Sequence, residues 1–230
     1  MLFATLLALA GAAPAPAPTT QPNLRAWFDQ LADPDPDVRD AARLNLMDIP
    51  RRQLTELERV VRESQPIRPS QAAELHDIVT HIYIAGEPYA PDSTGAAFLG
   101  VRWNQNLQES ISTDPPGLVV AGRVKGFPAY QALRDGDVLV GIKEKPELSV
   151  TNATSFGNGL KLLPPGTRLT LRVWRNGQLL FRAVTLVARP AWAEQGRTVD
   201  GQKEREERAE DYWEETFGKL LGESVSSARP

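Results

Sequence analysis

Little in this 230-residue chain has the makings of covalent chemistry. It contains no cysteine, which removes thiolate nucleophiles, thiolate zinc sites, disulfide frameworks and a lipidated N-terminal cysteine. Only two histidines occur, His76 and His81. On a helix their five-residue separation sets them about 140° apart, off the i, i+4 spacing of a metal-binding pair. Both read as surface or boundary residues. Ser149 and Ser155 have no histidine placed to activate them, and no Gly-x-Ser-x-Gly elbow occurs. Asp135 and Asp137 flank Gly136, and carboxylates so placed ordinarily stabilise a turn. Asn152-Ala153-Thr154 fits a glycosylation sequon, a three-residue pattern too common to carry weight. The expectation is a non-enzyme with no catalytic residue, metal ligand or cofactor.

What remains is binding chemistry, and charge is its first guide. The chain is 41% hydrophobic and 24% charged, which argues against global disorder, while 19 Pro and 17 Gly imply many loops. The net charge of −3 is unevenly divided. Residues 1–94 carry 13 acidic and 8 basic side chains (−5), residues 95–190 carry 6 and 12 (+6), and residues 191–230 carry 10 and 6 (−4). A basic middle between acidic flanks favours either attraction within the chain or acidic partners. The basic residues are spread among strands with few aromatics beside them, so no nucleic-acid partner is expected.

The elements that would position a binding surface begin at residue 23. Leu24, Phe28 and Leu31 fall at i, i+4, i+7, and Val38, Ala41, Ala42 and Leu46 repeat the spacing after an Asp-Pro-Asp-Pro-Asp punctuation. Asp35 is placed to cap the second helix, with Pro36 at its first position. Leu54, Leu57 and Val61 mark a third helix. Leu75, Ile78, Val79 and Ile82 mark a fourth, capped by Ser70 and ending near Gly86. The stretch from Leu31 to Leu44, with Val38-Arg39-Asp40-Ala41-Ala42 after its acidic Pro-containing turn, resembles one HEAT-type helical repeat. The resemblance implies an interaction surface, and a simple helical packing unit over 23–86 is the alternative.

From Gly95 the texture becomes short strands, over 98–103, 117–124, 138–142, 168–174 and 178–187. Short helices are expected at 129–133 and 154–163. Leu169, Leu171 and Val173 alternate with Arg168, Thr170 and Arg172, and Asn176-Gly177 between two runs is a strong hairpin signal. The predicted class is α+β: a small helical bundle, a partly open β-barrel with two short helices, and a C-terminal amphipathic helix.

Residues 95–190 resemble a PDZ domain. Gly126-Phe127-Pro128-Ala129 followed by Ala132-Leu133-Arg134-Asp135-Gly136-Asp137-Val138-Leu139 is similar to the segment written GSPA…GLxxGDxI. Phe98-Leu99-Gly100-Val101 is similar to the aromatic-Leu-Gly-Val loop of HtrA-type bacterial PDZ domains. The resemblance implies that backbone N–H groups of the Phe98-Leu99-Gly100 loop receive a peptide carboxylate. The peptide would then add as a strand along Val101, Arg102 and Trp103, with Phe156 and Leu160 contributed by the groove helix. The alternative is that these apolar side chains only fill the core; for Phe156 and Leu160 both readings stay open. Gly157 and Gly159 each weaken that helix by roughly 1 kcal/mol relative to Ala, so a shallow groove is expected. No protease module accompanies the domain on this reading.

Two termini complete the layout. Residues 2–13 are apolar, too short to span a membrane as a helix, and Ala8-Leu9-Ala10 has the small-x-small form of a signal peptidase site. Residues 1–22 therefore read as a signal peptide and Pro/Ala-rich linker, making the protein exported (periplasmic or secreted), with a cytoplasmic location as the alternative. In the 191–230 tail, a helix over 203–221 places Ala209, Trp213, Phe217 and Leu220 or Leu221 on one face. Trp213 and Phe217 would dock on this chain, on a second copy, or on a partner. The function expected is a peptide- or protein-binding scaffold, taking an extended and acidic segment such as a protein C-terminus. The alternatives are a substrate-binding subunit acting in trans with an envelope protease, or a structural protein with a closed groove.

Overall fold

Four helices form where apolar residues recur at three and four, and three of them carry side-chain hydrogen bonds at their N-terminal ends. The computed structural model describes residues 23–91, 95–103, 114–148, 150, 152–194 and 198–221. Residues 1–22, expected to be a signal peptide and linker, Ser149 and the last nine residues lie outside the described residues. Helix α1 (Leu24–Gln30) is capped by Asn23, whose side chain accepts from Ala26 N–H at 3.2 Å. Helix α2 (Pro36–Met47) is capped by Asp35, which accepts from Asp37 N–H at 2.9 Å, and starts on Pro36. A 3-10 turn (Arg51–Gln53) leads into α3 (Leu54–Glu63), and α4 spans Pro69–Ala85. Ser70 is not the cap of α4. Pro69 has the fixed φ of a first helical residue, so the start moves to Arg68, whose N–H donates to the Gln71 side chain at 3.0 Å. Phe28, Leu46, Leu57, Val61, Leu75, Ile78 and Ile82 share one buried core.

The strands build a second core. β1 (Ala97–Phe98), β2 (Val101–Trp103), β3 (Leu118–Arg123), β4 (Val138–Ile142), β5 (Arg168–Arg175), β6 (Gln178–Thr185) and β7 (Val187–Ala188) follow in order. Helix α5 (Pro128–Ala132) lies between β3 and β4, and α6 (Ala153–Lys161) between β4 and β5. β2-β3-β4-β5-β6 form an open antiparallel sheet, and β1 pairs with β7 in a separate two-stranded sheet. No sheet closes into a barrel among the described residues. The strand expected over 98–103 is broken at Leu99 and Gly100, where Gly100 takes φ +76°, and the one expected over 178–187 breaks at Leu186. Each break sends the outer segment into the small sheet. Asn176 (φ +50°) and Gly177 (φ +80°) make the two-residue turn between β5 and β6, both in the left-handed region that an Asn-Gly turn of this kind requires.

The two cores are joined by polar groups. Asp40 on α2, 13% exposed, faces Arg182 at 2.5 Å, Arg134 at 2.6 Å and Arg175 at 3.4 Å. Arg43 pairs with Asp77 at 3.0 Å and donates to the Gln131 carbonyl at 3.3 Å. Tyr130 O–H donates to Asp77, and Lys125 Nζ donates to Thr80 Oγ1 at 3.0 Å. His81 is 3% exposed, not a surface or boundary residue. Its Nδ1 accepts from Gly126 N–H at 3.2 Å and its ring stacks on Tyr130 at 5.3 Å. Burial, helped by the Arg43, Lys125 and Arg123 charges and opposed by Asp77, holds its pKa down to about 3. The imidazole is therefore neutral at pH 7, with its proton on Nε2.

The tail straps this joint. After a short α7 (Ala191–Glu194), α8 (Thr198–Trp213) packs on α4 and continues into a π-helical turn (Glu214–Gly218). The helix expected from residue 203 thus begins earlier. Phe217 is fully buried in the helical core, with Tyr212, Trp213 and Leu220 packed beside it. Gln202 donates to the Lys125 carbonyl at 3.1 Å, Arg205 to the Ile84 carbonyl at 2.7 Å, and Glu210 meets His76 Nε2 at 2.6 Å.

Candidate functional site

β2 is one edge of the five-stranded sheet among the described residues, and the loop before it lies against the buried Phe127. At Gly100 a Cβ would stand 2.2 Å from the Phe127 Cβ, so this position needs glycine for space as well as for φ. The Leu99 carbonyl accepts from Ala129 N–H at 2.9 Å and the Gly100 carbonyl from Val124 N–H at 2.8 Å. With both carbonyls tied inward, the N–H groups of Leu99 and Gly100 donate to no described residue. Two adjacent unengaged donors make a cradle for an anionic or carbonyl oxygen. Beneath it, Phe127 contacts Phe98 at 5.0 Å, Trp192 at 5.8 Å and Tyr89 at 5.8 Å, and Arg189 lies over Phe98 at 5.4 Å.

Of the sequence-predicted residues, Phe98, Leu99, Gly100, Val101, Arg102 and Trp103 lie along this loop and edge strand. Leu99 (2% exposed), Phe156 (0%) and Leu160 (6%) belong to the β core. Phe156 and Leu160 nevertheless come from α6, which faces the same seam. The Trp103 ring meets Phe156 edge-on at 5.4 Å, spanning from β2 to α6. Asn152 caps α6 by accepting from Ser155 N–H at 2.9 Å. Gly159 leaves room for Leu148, whose Cδ2 would lie 2.4 Å from a Cβ there, whereas nothing stands within 4 Å of one at Gly157. Arg102 is exposed, its guanidinium lying across Gly122, and Lys161 is the last residue of α6.

Sequence reasoning missed the supports. Tyr89, Trp192 and Arg205 converge on Phe127 from segments far apart in the chain, and Arg205 lies 5.3 Å from the Tyr89 ring. Arg205 and Gln202 precede Ala209 by four and seven residues, so they extend its stripe. Their polarity hid them from a search for apolar periodicity. No group of acidic or histidine side chains among the described residues could hold a metal ion.

No family model matches the chain. A probable periplasmic serine endoprotease described as DegP-like, from Chlamydia muridarum, is 37% identical over 76 residues, 33% of this chain and 15% of that protein. Among solved structures, the HtrA-type protease AlgW with decapeptide is 25% identical at a TM-score of 0.35, over 51% of this chain and 35% of that one. The serine endoprotease from Yersinia pestis is 20% identical at a TM-score of 0.32, over 40% and 29%. The chain therefore has a weak, partial similarity to HtrA-type proteases, spanning 15% of the curated relative and about a third of these solved chains. No described helix is long and apolar enough to cross a membrane.

Proposed function

We propose that this chain is a non-catalytic peptide-binding module of the cell envelope, which captures an extended peptide by strand addition in a PDZ-type groove. The observation that carries this reading is the pair of N–H groups at Leu99 and Gly100, which donate to no described residue, immediately before a strand, β2, that is the sheet edge among the described residues and touches a helix through Trp103 and Phe156. The peptide's terminal carboxylate seats on those two donors, and its backbone pairs with Val101–Trp103. Leu99, Phe156 and Leu160 form the floor of the groove. Because the Trp103 ring already spans the seam, it supplies the apolar surface on which the last peptide side chain rests. Arg102 and Lys161, in a segment with net charge +6, favour acidic peptides.

The HEAT-like helical unit acts as a rigid support, tied on through Asp40, Arg43 and Asp77. Export is supported by the apolar 2–13 segment and by the periplasmic description of the DegP-like relative. That relative also favours a second reading, in which the groove presents peptides to an envelope protease in trans.

Titrating the full chain with an acidic peptide, as free acid and as C-terminal amide, tests the proposal. The free acid is expected to shift the Leu99, Gly100 and Val101 amide signals, and amidation to weaken binding by about tenfold, the loss of a charge-assisted contact. No perturbation at those three amides, by any of a library of free C-termini, overturns it.

A further inference from the structure

The other edge of the same sheet opens into a cleft of about 970 Å³ at the joint between the two cores. Its far wall is the end of α2, the 3-10 turn and the end of α4; its near wall is α5 and the run from Phe181 to Thr185 on β6. The register fixes which groups β6 presents. Arg175 and Gln178 flank a two-residue turn and form a hydrogen-bonded pair, so pairs alternate from there along the strand. Thr170, opposite Ala183, is consequently turned the other way. Its N–H donates to Glu144 at 2.7 Å, and its carbonyl accepts from Lys143 N–H at 2.9 Å on the β4 side. By the same alternation the N–H and carbonyl groups of Phe181, Ala183 and Thr185 point away from β5, and no described residue bonds them. An exposed edge of this kind is a template for one more strand.

The charges around that edge select what it would pair with. Arg51, Arg52, Arg168 and Arg182 line the cleft against one carboxylate among the described residues, Asp48. Asp40 already neutralises Arg182, leaving a positive surplus from side chains of which Arg52 and Arg168 are exposed. Phe181, 55% exposed, adds an apolar contact at the lip. Main-chain donors and acceptors in register, one aromatic and surplus arginines suit a chain segment in extended form, carrying Asp or Glu among apolar residues. We propose that this cleft binds such an acidic segment of a partner protein as an additional strand on β6, a second site independent of the β2 edge and of any terminal carboxylate.

The test uses the full chain and an N-acetylated, C-amidated peptide of alternating Val and Glu, with its Val-Lys counterpart as control. Capping both ends silences the carboxylate cradle at Leu99 and Gly100, so the two proposals fail separately. The Glu peptide is expected to slow amide exchange at Phe181, Ala183 and Thr185 and to leave Leu180, Arg182 and Val184, already paired with β5, unchanged. The Lys peptide and the Arg52→Glu variant should each bind about tenfold more weakly, because charge complementarity is lost. Ala183→Pro removes an outward N–H without touching the β5 ladder, a substitution that edge strands tolerate. It should abolish binding with the melting temperature kept; should it unfold the strand, the exchange pattern and Arg52→Glu still decide. Equal binding of the two peptides, protection without the alternation, or shifts at Leu99 to Trp103 instead would each overturn the proposal. So would a dimer in sedimentation that excludes the peptide, because a second copy would then be the occupant.

Discussion

Acidification tests the joint between the two cores through one residue. His81 is buried and neutral, with its pKa near 3 against 6.5 for the free side chain. Arg43, Lys125 and Arg123 disfavour its protonation and Asp77 favours it, but burial dominates. Between those two values the unfolded chain binds a proton that the folded chain does not, so stability must rise with pH there and fall as pH is lowered from 7. From pH 7 to pH 5 the linkage amounts to about 2 kcal/mol. Asp77 is held below its ordinary value of 3.8: burial pushes it up, but Tyr130 and Arg43 outweigh that, and its contribution is lost only at lower pH, outside this window. Urea unfolding at pH 7, 6 and 5 measures the slope. His81→Asn keeps an acceptor for Gly126 N–H and cannot titrate, so it should cost stability at pH 7 but remove about 2 kcal/mol of the pH dependence. A wild-type protein as stable at pH 5 as at pH 7, a variant with the unchanged slope, or a His81 ring titrating near 6.5 by NMR would refute the reasoning.

Four further outcomes follow from contacts already described. Gly157→Ala should raise stability in thermal melts by up to about 1 kcal/mol, since space is open at that helical site, whereas Gly100→Ala should lower it by more than about 1 kcal/mol through its φ and the Phe127 clash. Asp40→Asn leaves three arginines without their shared carboxylate and should cost about 2–4 kcal/mol in urea unfolding, with hydrogen exchange rising at both ends of the joint. Phe217→Ala empties a fully buried site and should cost about 3–5 kcal/mol, with exchange rising across residues 198–221; a melting temperature equal to wild type would place α8 outside the cooperative core.

Local pattern determined the elements of this protein. Apolar residues at three and four marked α1 to α4, alternation marked β5, and Asn176-Gly177 marked its turn, because each depends only on residues a few positions apart. The stripe through Ala209, Trp213 and Phe217 marked the tail helix as one with a face to bury. Pattern did not determine where that face would go: it lies on α4 because the helical core leaves a hollow that Phe217 fills. The strand expected over 98–103 is broken at Leu99 and Gly100: Phe98, Val101 and Trp103 are β-prone, and the close approach of Phe127 decides that the chain turns at Gly100. A motif points to the N–H groups at Leu99 and Gly100; that the neighbouring carbonyls are held by the Ala129 and Val124 N–H groups is decided only by the folded chain. His81 changed most. Its neighbours in sequence look ordinary, and it becomes a buried neutral base because Tyr130, Gly126 and Lys125, some fifty residues away, close over it. Short-range chemistry sets periodicity and caps; burial and charge partners are non-local quantities, and only the folded chain decides them.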